Sequence, residues 1–348
     1  MTHRFKILFT RLTALVLAPL VALAVLPSAA LALCDVEYRV QPGDTLFSIA
    51  EAHYGERQRW TLIYYTNQAV LTGPSVIPGN KLYIPCGVKD TTPDATPLRK
   101  DDAEMKILTG GNYAPFTDEE LPGQGLVTEL VNAVMELTPS PVSYSITWED
   151  DWSKHLFPKL DQKEFDMGFP WYKPDCASTP DNERCVNFHF SDPLFIVPMM
   201  LFTRDDNQFT FESDADIPGK RLCRPNGYNT ADLDTPERRW ISDDRITLVF
   251  GENPQDCFDM VLKGDVDAAS VNLFLGANTI IEMGLRNKIL PLERPVSEQG
   301  LHVVISKKHW RGTTHLYRIN AGLKNLRKSG RYEEIVARHL ELFWAQLQ

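Results

Sequence analysis

Apolar positions follow three successive patterns along this chain, and the first lies at its start. From residue 12 to 26 they form one nearly continuous run, which is too short to cross a membrane comfortably. Basic residues precede the run, and the small residues of 30–32 (Ala-Leu-Ala) follow it. This order predicts a signal peptide over residues 1–32, with cleavage near Ala32. A retained anchor or a lipoprotein at Cys34 is the alternative, although Leu33 replaces the small residue that a lipobox requires.

The second pattern, over residues 34–86, predicts a small domain in the order strand, helix, helix, strand. Tyr38 and Val40 alternate as in a half-buried strand, and a turn with a helix N-cap follows at 43–45. Apolar residues then recur at helical spacing over 46–54 and again from Trp60 to Asn67. Leu82 and Ile84 alternate as a closing strand.

The segments YRVQPGDTLFSIAEAHYG and VIPGNKLYIP, with a Trp and an Asn in the helix between them, resemble a LysM domain. The resemblance implies binding of glycans that contain N-acetylglucosamine, with peptidoglycan as the expected partner. Two tight loops can offer backbone amides and carbonyls to sugar hydroxyls and acetamides. The alternative is a purely structural module in which the same residues only cap a helix and turn a strand. The residues that would line the groove are Gly43, Asp44, Thr45, Leu46, Val76, Ile77, Pro78 and Gly79.

The third pattern begins after residues 87–103, which contain Pro, Thr and charges and are typical of a solvated linker. An apolar strand over 106–109 is followed by a glycine- and proline-rich loop and by a helix whose apolar face includes Leu126, Leu130 and Val134. Strands then recur at 143–148 and 165–168. This alternation predicts an α/β domain with a mostly parallel sheet.

The order of ILTGGNYAPF, FDMGFPWYKPD, ERCVNFHFSDPLF, VLKGDVDAA and LKNLRKSGRYEEIVARHL resembles the solute-binding proteins of family 3, the amino-acid-receptor type. The resemblance implies a two-lobed periplasmic binding protein fold over residues 104–348, with a hinge and a ligand cleft. The first lobe would comprise about 104–202 and 303–348, and the second about 203–302. The hinge crossings are expected near 202–204 and 301–304.

Arg184 precedes the F-S-x-P segment, where receptors of this family place an arginine that grips the ligand carboxylate. A guanidinium fork suits that bidentate task. A surface ion pair with Glu183 or Asp181 is the alternative.

Other candidate ligand contacts follow from the same resemblance. Trp171 is expected in an irregular loop, because prolines flank it on both sides. Core packing is the alternative for the aromatic candidates. Asn229 and Thr230 precede a helix expected near Ala231, whose free amides could hold an anion; an ordinary N-cap is the alternative there. The aromatic candidates are Tyr113, Phe116, Trp171 and Tyr172.

Asn272 departs from the family pattern. It occupies the position where amino-acid receptors usually keep the aspartate that pairs with the ligand's ammonium group, so a free α-amino acid is in doubt as the ligand. The expected partner is a small polar solute, such as a carboxylate without an amine or a muropeptide fragment. An ABC permease or a sensor is compatible as the protein partner. A wall-associated structural or scavenging protein with a degenerate cleft is the alternative.

Six cysteines in an exported chain are expected to pair, and fifteen connectivities are open to them. The sequential set is favoured because each pair closes a loop within one module. The spacings do not fit a metal site, so no metal or other cofactor is predicted. The favoured pairs are Cys34–Cys86, Cys176–Cys185 and Cys223–Cys257.

Charge and motifs exclude other functions. Residues 1–32 hold three of the 36 Lys and Arg residues and none of the 46 acidic ones, so the exported chain carries a formal charge of −13 and nucleic acid is not an expected partner. The sequence contains no nucleophile elbow, zinc motif, phosphate loop or dinucleotide fingerprint. The chain is therefore predicted not to be an enzyme. A dehydratase-like activity with Glu129 or Asp166 as the acid is the residual alternative.

Overall fold

The computed structural model describes residues 34–71, 73, 75–86 and 98–346, so the predicted signal peptide and most of the predicted linker lie outside the described residues. Two domains are present, and one hydrophobic cluster contains buried side chains of both. Within the described ranges, no helix has the length and apolar character needed to cross a bilayer.

The first domain has the predicted order of elements. Thr45 caps the first helix by accepting a hydrogen bond from the Ser48 amide, and Gly55 ends that helix with a positive φ of 73°. The two strands pair antiparallel, with Tyr38 opposite Leu82. Its elements are β1 (Val36–Arg39), α1 (Leu46–Tyr54), α2 (Trp60–Thr66) and β2 (Lys81–Ile84).

The second domain has two α/β lobes. The chain enters the first lobe, crosses to the second, and returns to complete the first with two long helices. The first-lobe elements before the crossing are β3 (Met105–Thr109), α3 (Leu126–Glu136), β4 (Tyr144–Trp148), β5 (Met167–Tyr172), α4 (Glu183–Asn187) and β6 (Phe188–Phe190). The crossing strand β7 (Phe195–Arg204) leads to β8 (Arg221–Pro225), β9 (Thr247–Gly251), α5 (Pro254–Lys263), β10 (Ala268–Asn272), α6 (Leu273–Glu282) and β11 (Ile289–Pro291). The return strand is β12 (Ser297–Ser306), followed by α7 (Gly312–Ser329) and α8 (Arg331–Ala345).

Each lobe has a parallel core of strands. In the first lobe β3 lies between β4 and β5, and in the second β8 lies between β9 and β10. The crossing strands β7 and β12 run antiparallel to each other and join the two halves into one sheet. The predicted α/β architecture is confirmed, but the prediction of a mostly parallel sheet is wrong: four strand pairs of this sheet are parallel and five are antiparallel, because the crossing strands and their neighbours pair antiparallel.

The crossing strands exchange partners part of the way along. Residues 195–199 of β7 pair with 297–301 of β12, whereas residues beyond Met199 pair with β10 and β11 of the second lobe. This exchange lies earlier in β7 than the expected 202–204. The position of this exchange of partners cannot be predicted from the sequence, because β7 is apolar and buried along almost its whole length and its pattern does not change where the partner changes.

The lobes touch each other beside these strands. Phe116 of the first lobe packs edge-on against Phe274 of the second, with ring centroids 5.2 Å apart. The side-chain amide of Asn278 donates to the Ala114 carbonyl at 3.3 Å. These contacts define the lobe arrangement that the structure describes.

The first domain is docked on the second through α2. The Tyr65 hydroxyl donates to the Ile196 carbonyl at 2.6 Å, and its ring stacks on Phe195 with centroids 4.5 Å apart. The indole N–H of Trp344 donates to the Thr61 hydroxyl at 2.8 Å. The two domains therefore share a packed interface in which a helix of the first meets the crossing strands and the last helix of the second.

Two local expectations differ from the structure. The strand predicted over 165–168 becomes β5 and continues through Pro170 to Tyr172, so Trp171 lies in a strand and not in an irregular loop. The pairing of β5 with β12 is irregular between His302 and Val304, which accommodates the missing N–H of Pro170. Residues 98–103, predicted as linker, lie beside β4, where the Lys100 amide donates to the Tyr144 carbonyl.

Candidate functional site

The carboxyl ends of β3, β4 and β5 meet at one edge of the first lobe. Ligands of open α/β sheets bind at this edge of parallel strands. The Gly111 amide donates to Asp150 Oδ1 at 2.8 Å, which ties the end of β3 to the end of β4. A Cβ at Gly110 would lie 2.6 Å from the Glu149 carbonyl oxygen and 2.9 Å from the ring of Trp152, so only glycine fits there.

Four aromatic side chains form a wall along this edge. The Tyr113 and Tyr172 hydroxyls are hydrogen bonded at 3.0 Å, and Trp152 packs edge-on against Trp171 with ring centroids 5.8 Å apart. Burial raises the pKa of Tyr172 to about 12 and that of Tyr113 well above its usual value, so both hydroxyls stay protonated at neutral pH. The sequence reasoning missed Trp152; its place directly after β4 is the signal that could have identified it.

Arg184 lies on α4, beside the aromatic wall. Its guanidinium stands over the ring of Trp171, 5.2 Å from the centroid, and burial lowers the pKa of Arg184. Within the described part of the chain no carboxylate forms an ion pair with this side chain. The alternative of a surface pair with Asp181 or Glu183 is therefore not what the structure shows. Cys185 holds the arginine's segment to Cys176.

The second lobe presents a loop after β8. Asn229 and Thr230 lie in it, but residues 231–239 form turns, and the helix expected near Ala231 is not present. Asn229 Oδ1 accepts from the Ala231 amide at 2.8 Å. The loop is shaped instead by Arg224, a fully buried side chain whose guanidinium donates to Asp232 Oδ2 at 3.0 Å and to the Asn229 carbonyl. A buried ion pair of this kind has to stay paired, because a lone charge would be costly to bury.

Two further candidates are buried. Asn272 caps α6, with its Oδ1 accepting from the Leu275 amide at 2.9 Å. Phe116 is fully buried and packs on Phe195 and Phe274, so it contributes to the junction between the lobes in this arrangement. A ligand would reach the Phe116 ring only if the lobes separated.

The proposed acids lie elsewhere. Glu129 is buried and ion-paired with Arg338 and His339. Asp166 lies before β5, at the opposite end of the strands from the aromatic wall, and its Oδ2 accepts from the Lys106 amide at 2.8 Å. Neither carboxylate is placed to protonate a ligand at the carboxyl ends of the strands.

Asp166 also forms a cluster with His309 and His315, whose Nε2 atoms lie 3.0 and 3.6 Å from its Oδ1. The His309 Nδ1 accepts from the Arg311 amide, and the His315 Nδ1 accepts from the Arg318 guanidinium. The two Nδ1 atoms are thus occupied by hydrogen bonds, whereas the His315 Nε2 is buried and has no hydrogen-bond partner among the described residues.

The two loops of the first domain that hold the predicted groove residues are joined by a backbone hydrogen bond. The Gly79 amide donates to the Val40 carbonyl at 2.8 Å, and Asp44 Oδ2 accepts from the Gln41 amide at 2.6 Å. Gly43 and Gly79 have φ values of +89° and +91°, which L side chains rarely adopt. Of the predicted groove residues, Gly43, Ile77, Pro78 and Gly79 are exposed, Asp44, Thr45 and Val76 are half-buried, and Leu46 is buried in the core.

Three disulfides are present, and they are the sequential set predicted from the sequence. Cys34–Cys86 closes the first domain at its two ends. Cys223–Cys257 joins β8 to α5 in the second lobe.

Acidification is expected to lower the free energy of unfolding. Burial lowers the pKa of His155 and of His302, which donate to the carbonyls of Glu149 and Ser191. As pH falls below about 6.5, the unfolded chain therefore binds protons that the folded chain does not, and each such histidine contributes a slope of up to about 1.4 kcal/mol per pH unit. Melting temperatures between pH 7.5 and 5.5 test this. His302→Gln should reduce the dependence, and a constant melting temperature would contradict it.

Two α/β lobes joined by two crossing strands are the architecture of bilobal binding proteins. Residues 105–341 match the model of the bacterial extracellular solute-binding proteins, family 3, and residues 38–85 match the LysM domain. The protein therefore belongs to family 3 of the bacterial extracellular solute-binding proteins, and it carries an N-terminal LysM domain. Domains of extracellular type together with three disulfides indicate an exported protein.

Solved structures show the same fold. One is a histidine kinase sensor domain with similarity to periplasmic binding proteins; it is 23% identical, with a TM-score of 0.50, over 69% of this chain and 97% of that one. Another is the GluR0 ligand-binding core in complex with L-glutamate; it is 17% identical, with a TM-score of 0.50, over 68% of this chain and 97% of that one. At these identities the likeness establishes the two-lobed periplasmic binding protein fold alone. A search of curated proteins gave no match.

Proposed function

We propose that this protein is a periplasmic solute receptor whose LysM domain binds peptidoglycan and whose cleft binds a small anionic solute. Arg184 is the observation that carries the proposal. It is a half-buried guanidinium at the ligand edge, stacked on Trp171 and without a carboxylate partner in the described residues. A cation in such a place gains most from an anion supplied by a ligand.

The neighbouring groups favour a carboxylate without an ammonium group. The indole N–H of Trp171 is buried without an acceptor among the described residues, and a ligand oxygen could accept from it. The Tyr113 and Tyr172 hydroxyls add two neutral hydrogen-bonding groups. Asn272 brings no charge to pair with an ammonium group, and its side chain is occupied in capping α6. Dicarboxylates, sugar acids and acidic muropeptides fit this set better than free α-amino acids.

The test is a thermal-shift screen of the exported chain, residues 33–348, against dicarboxylates, sugar acids, short muropeptides and free amino acids. We expect a saturable rise in melting temperature with a carboxylate that lacks an amine, because a ligand that binds only the folded state stabilises it. A rise with amino acids alone would overturn the proposed ligand class. Well-folded protein with no shift across the panel would favour the degenerate cleft.

Wall binding has its own prediction, at Ile77. Its side chain is 58% exposed in the loop beside Gly79, where it could cover an apolar sugar face. Ile77→Ser should reduce the fraction of protein that sediments with purified peptidoglycan by about five- to tenfold, the effect of losing about 1–1.5 kcal/mol of apolar burial. Val70 is a matched control, because it is 53% exposed and lies outside the groove loops. Equal sedimentation of the wild-type, Ile77→Ser and Val70→Ser proteins would argue against this groove.

A membrane protein would recognise the arrangement in which the lobes have closed on the solute. An ABC permease and a sensor are both compatible with this architecture. Ligand binding drives closure only to the extent that the ligand binds the closed arrangement more tightly.

A further inference from the structure

The contacts between the LysM domain and the second domain form two sets, which differ in the lobe that they involve. The contacts of the first set involve the first lobe or the part of β7 that pairs with β12. Tyr65 contacts Ile196, Thr61 contacts Trp344, and Arg59 forms an ion pair with Glu341 at 2.6 Å. The buried groups in this set hold the LysM domain to the first lobe and to the crossing strand β7.

The contacts of the second set lie at or beyond the point where the crossing strands β7 and β12 exchange partners. The Tyr64 hydroxyl donates to Glu298 Oε1 at 2.5 Å, and Glu298 lies opposite Pro198 where β12 and β7 are still paired. Arg57 forms an ion pair with Glu293 at 2.5 Å. Glu293 belongs to the second lobe, because the adjacent Leu292 packs in that lobe's separate hydrophobic cluster.

We propose that the LysM domain positions the two lobes of the solute cleft, through contacts that hold it to the first lobe and touch the second. While the LysM domain stays fixed to the first lobe, any movement of the second lobe that carries Glu293 away from Arg57 has to break this ion pair. A contact that is made in only one arrangement shifts the equilibrium toward that arrangement. Arg57 of the LysM domain and Glu293 of the second lobe are therefore positioning residues for solute binding, although neither lies beside the aromatic wall. The effect on solute affinity rests on the proposed receptor function; the effect on lobe separation does not.

The expected size of the effect follows from exposure. The Arg57 and Glu293 side chains are 55% and 42% exposed, so the pair is screened by water and salt. Reversing one charge removes an attraction and adds a repulsion of similar size. We expect a two- to fivefold shift of the population toward separated lobes, which becomes smaller at high ionic strength.

The experiment measures the distance between the lobes in the full exported chain without solute. Spin labels carried by non-natural amino acids are placed at Lys163 in the first lobe and Lys263 in the second, both exposed. The variants are Arg57→Glu, Glu293→Arg and the double charge swap. The matched control is Lys81→Glu, which turns another exposed ion pair, Lys81–Glu37 at 2.6 Å, into a repulsion wholly inside the LysM domain.

The proposal predicts a wider distance distribution in both single variants, recovery in the double variant, and no change in Lys81→Glu. Recovery matters because Arg57 also lies over the Phe47 ring at 5.7 Å, and the loss of that contact would not be repaired by Glu293→Arg. Wild-type distances in both single variants, or widening that the double variant does not reverse, would overturn it. Once a solute is identified, its Kd should rise two- to fivefold in Arg57→Glu. A shift in distance with no solute found would leave the lobe coupling intact and count against the receptor function alone.

Discussion

Trp344→Ala is expected to lower the free energy of unfolding by about 3–5 kcal/mol, the usual cost of truncating a buried tryptophan. Trp344 is 6% exposed and lies where three parts of the protein meet. Its indole N–H donates to Thr61 of the LysM domain, and its ring contacts Phe274 of the second lobe and Phe343 on its own helix. The substitution should therefore destabilise the LysM domain and the second domain together.

Chemical denaturation followed by hydrogen exchange would measure this. Trp310→Ala is the matched control, because Trp310 is 78% exposed and its loss should change the unfolding free energy by no more than about 0.5 kcal/mol. If Trp344→Ala destabilised only one domain, the hydrophobic cluster shared by the two domains would not act as a cooperative unit.

Arg184→Ala should weaken solute binding by about 30-fold or more, because removal of one partner of a desolvated charge pair typically costs about 2–5 kcal/mol. Arg184→Lys should recover only part of the affinity, since an ammonium group cannot form the bidentate fork. Without solute, Arg184→Ala should lower the free energy of unfolding by no more than about 1 kcal/mol, because it loses the contact of the guanidinium with the Trp171 ring but no ion pair among the described residues.

Calorimetric titration with the solute found by screening would test this prediction. Arg239→Ala is the control, because Arg239 is an exposed arginine that pairs with Asp243 in the second lobe, away from the aromatic wall. Equal affinities for the Arg184 and Arg239 variants would remove Arg184 from the binding site.

Most of the LysM fold could be predicted because its signals are local. Thr45 as an N-cap, Gly55 as a helix end and the alternation in β1 and β2 each depend on neighbours within a few residues. The disulfides were predictable because each closes a loop within one module. The continuation of β5 through Pro170 could not be predicted, because the irregular pairing that accommodates the proline is with β12, which lies more than a hundred residues later in the chain.

The docking of the LysM domain on the second domain depends on contacts between residues that are distant in sequence, but the composition of α2 indicates that this helix has a packing partner. Every residue from Trp60 to Tyr65 is buried, on all sides of the helix. A helix that is apolar all round is packed on all sides, which a lone module of this size cannot provide. The sequence showed this composition, and reading only one face of α2 as core missed the partner surface.

The turns at 231–239 illustrate a different limit. Asn229 and Thr230 have the residue types of a helix start, and these residues serve turns equally well. Arg224 and Asp232 decide between the two, because their buried pair fixes the loop from both ends. A charged pair that becomes fully buried cannot be recognised from one sequence.

The Cys176–Cys185 bond has a consequence for when the protein becomes active. It closes a short loop that ends next to Arg184, so the arginine that we assign to the solute is held in place by a bond that forms only under oxidising conditions. A newly made chain in a reducing cytoplasm would lack this restraint and would hold the arginine loosely. If Arg184 binds the solute as proposed, the oxidised protein outside the cytoplasm should therefore bind it more tightly than the reduced chain does before export.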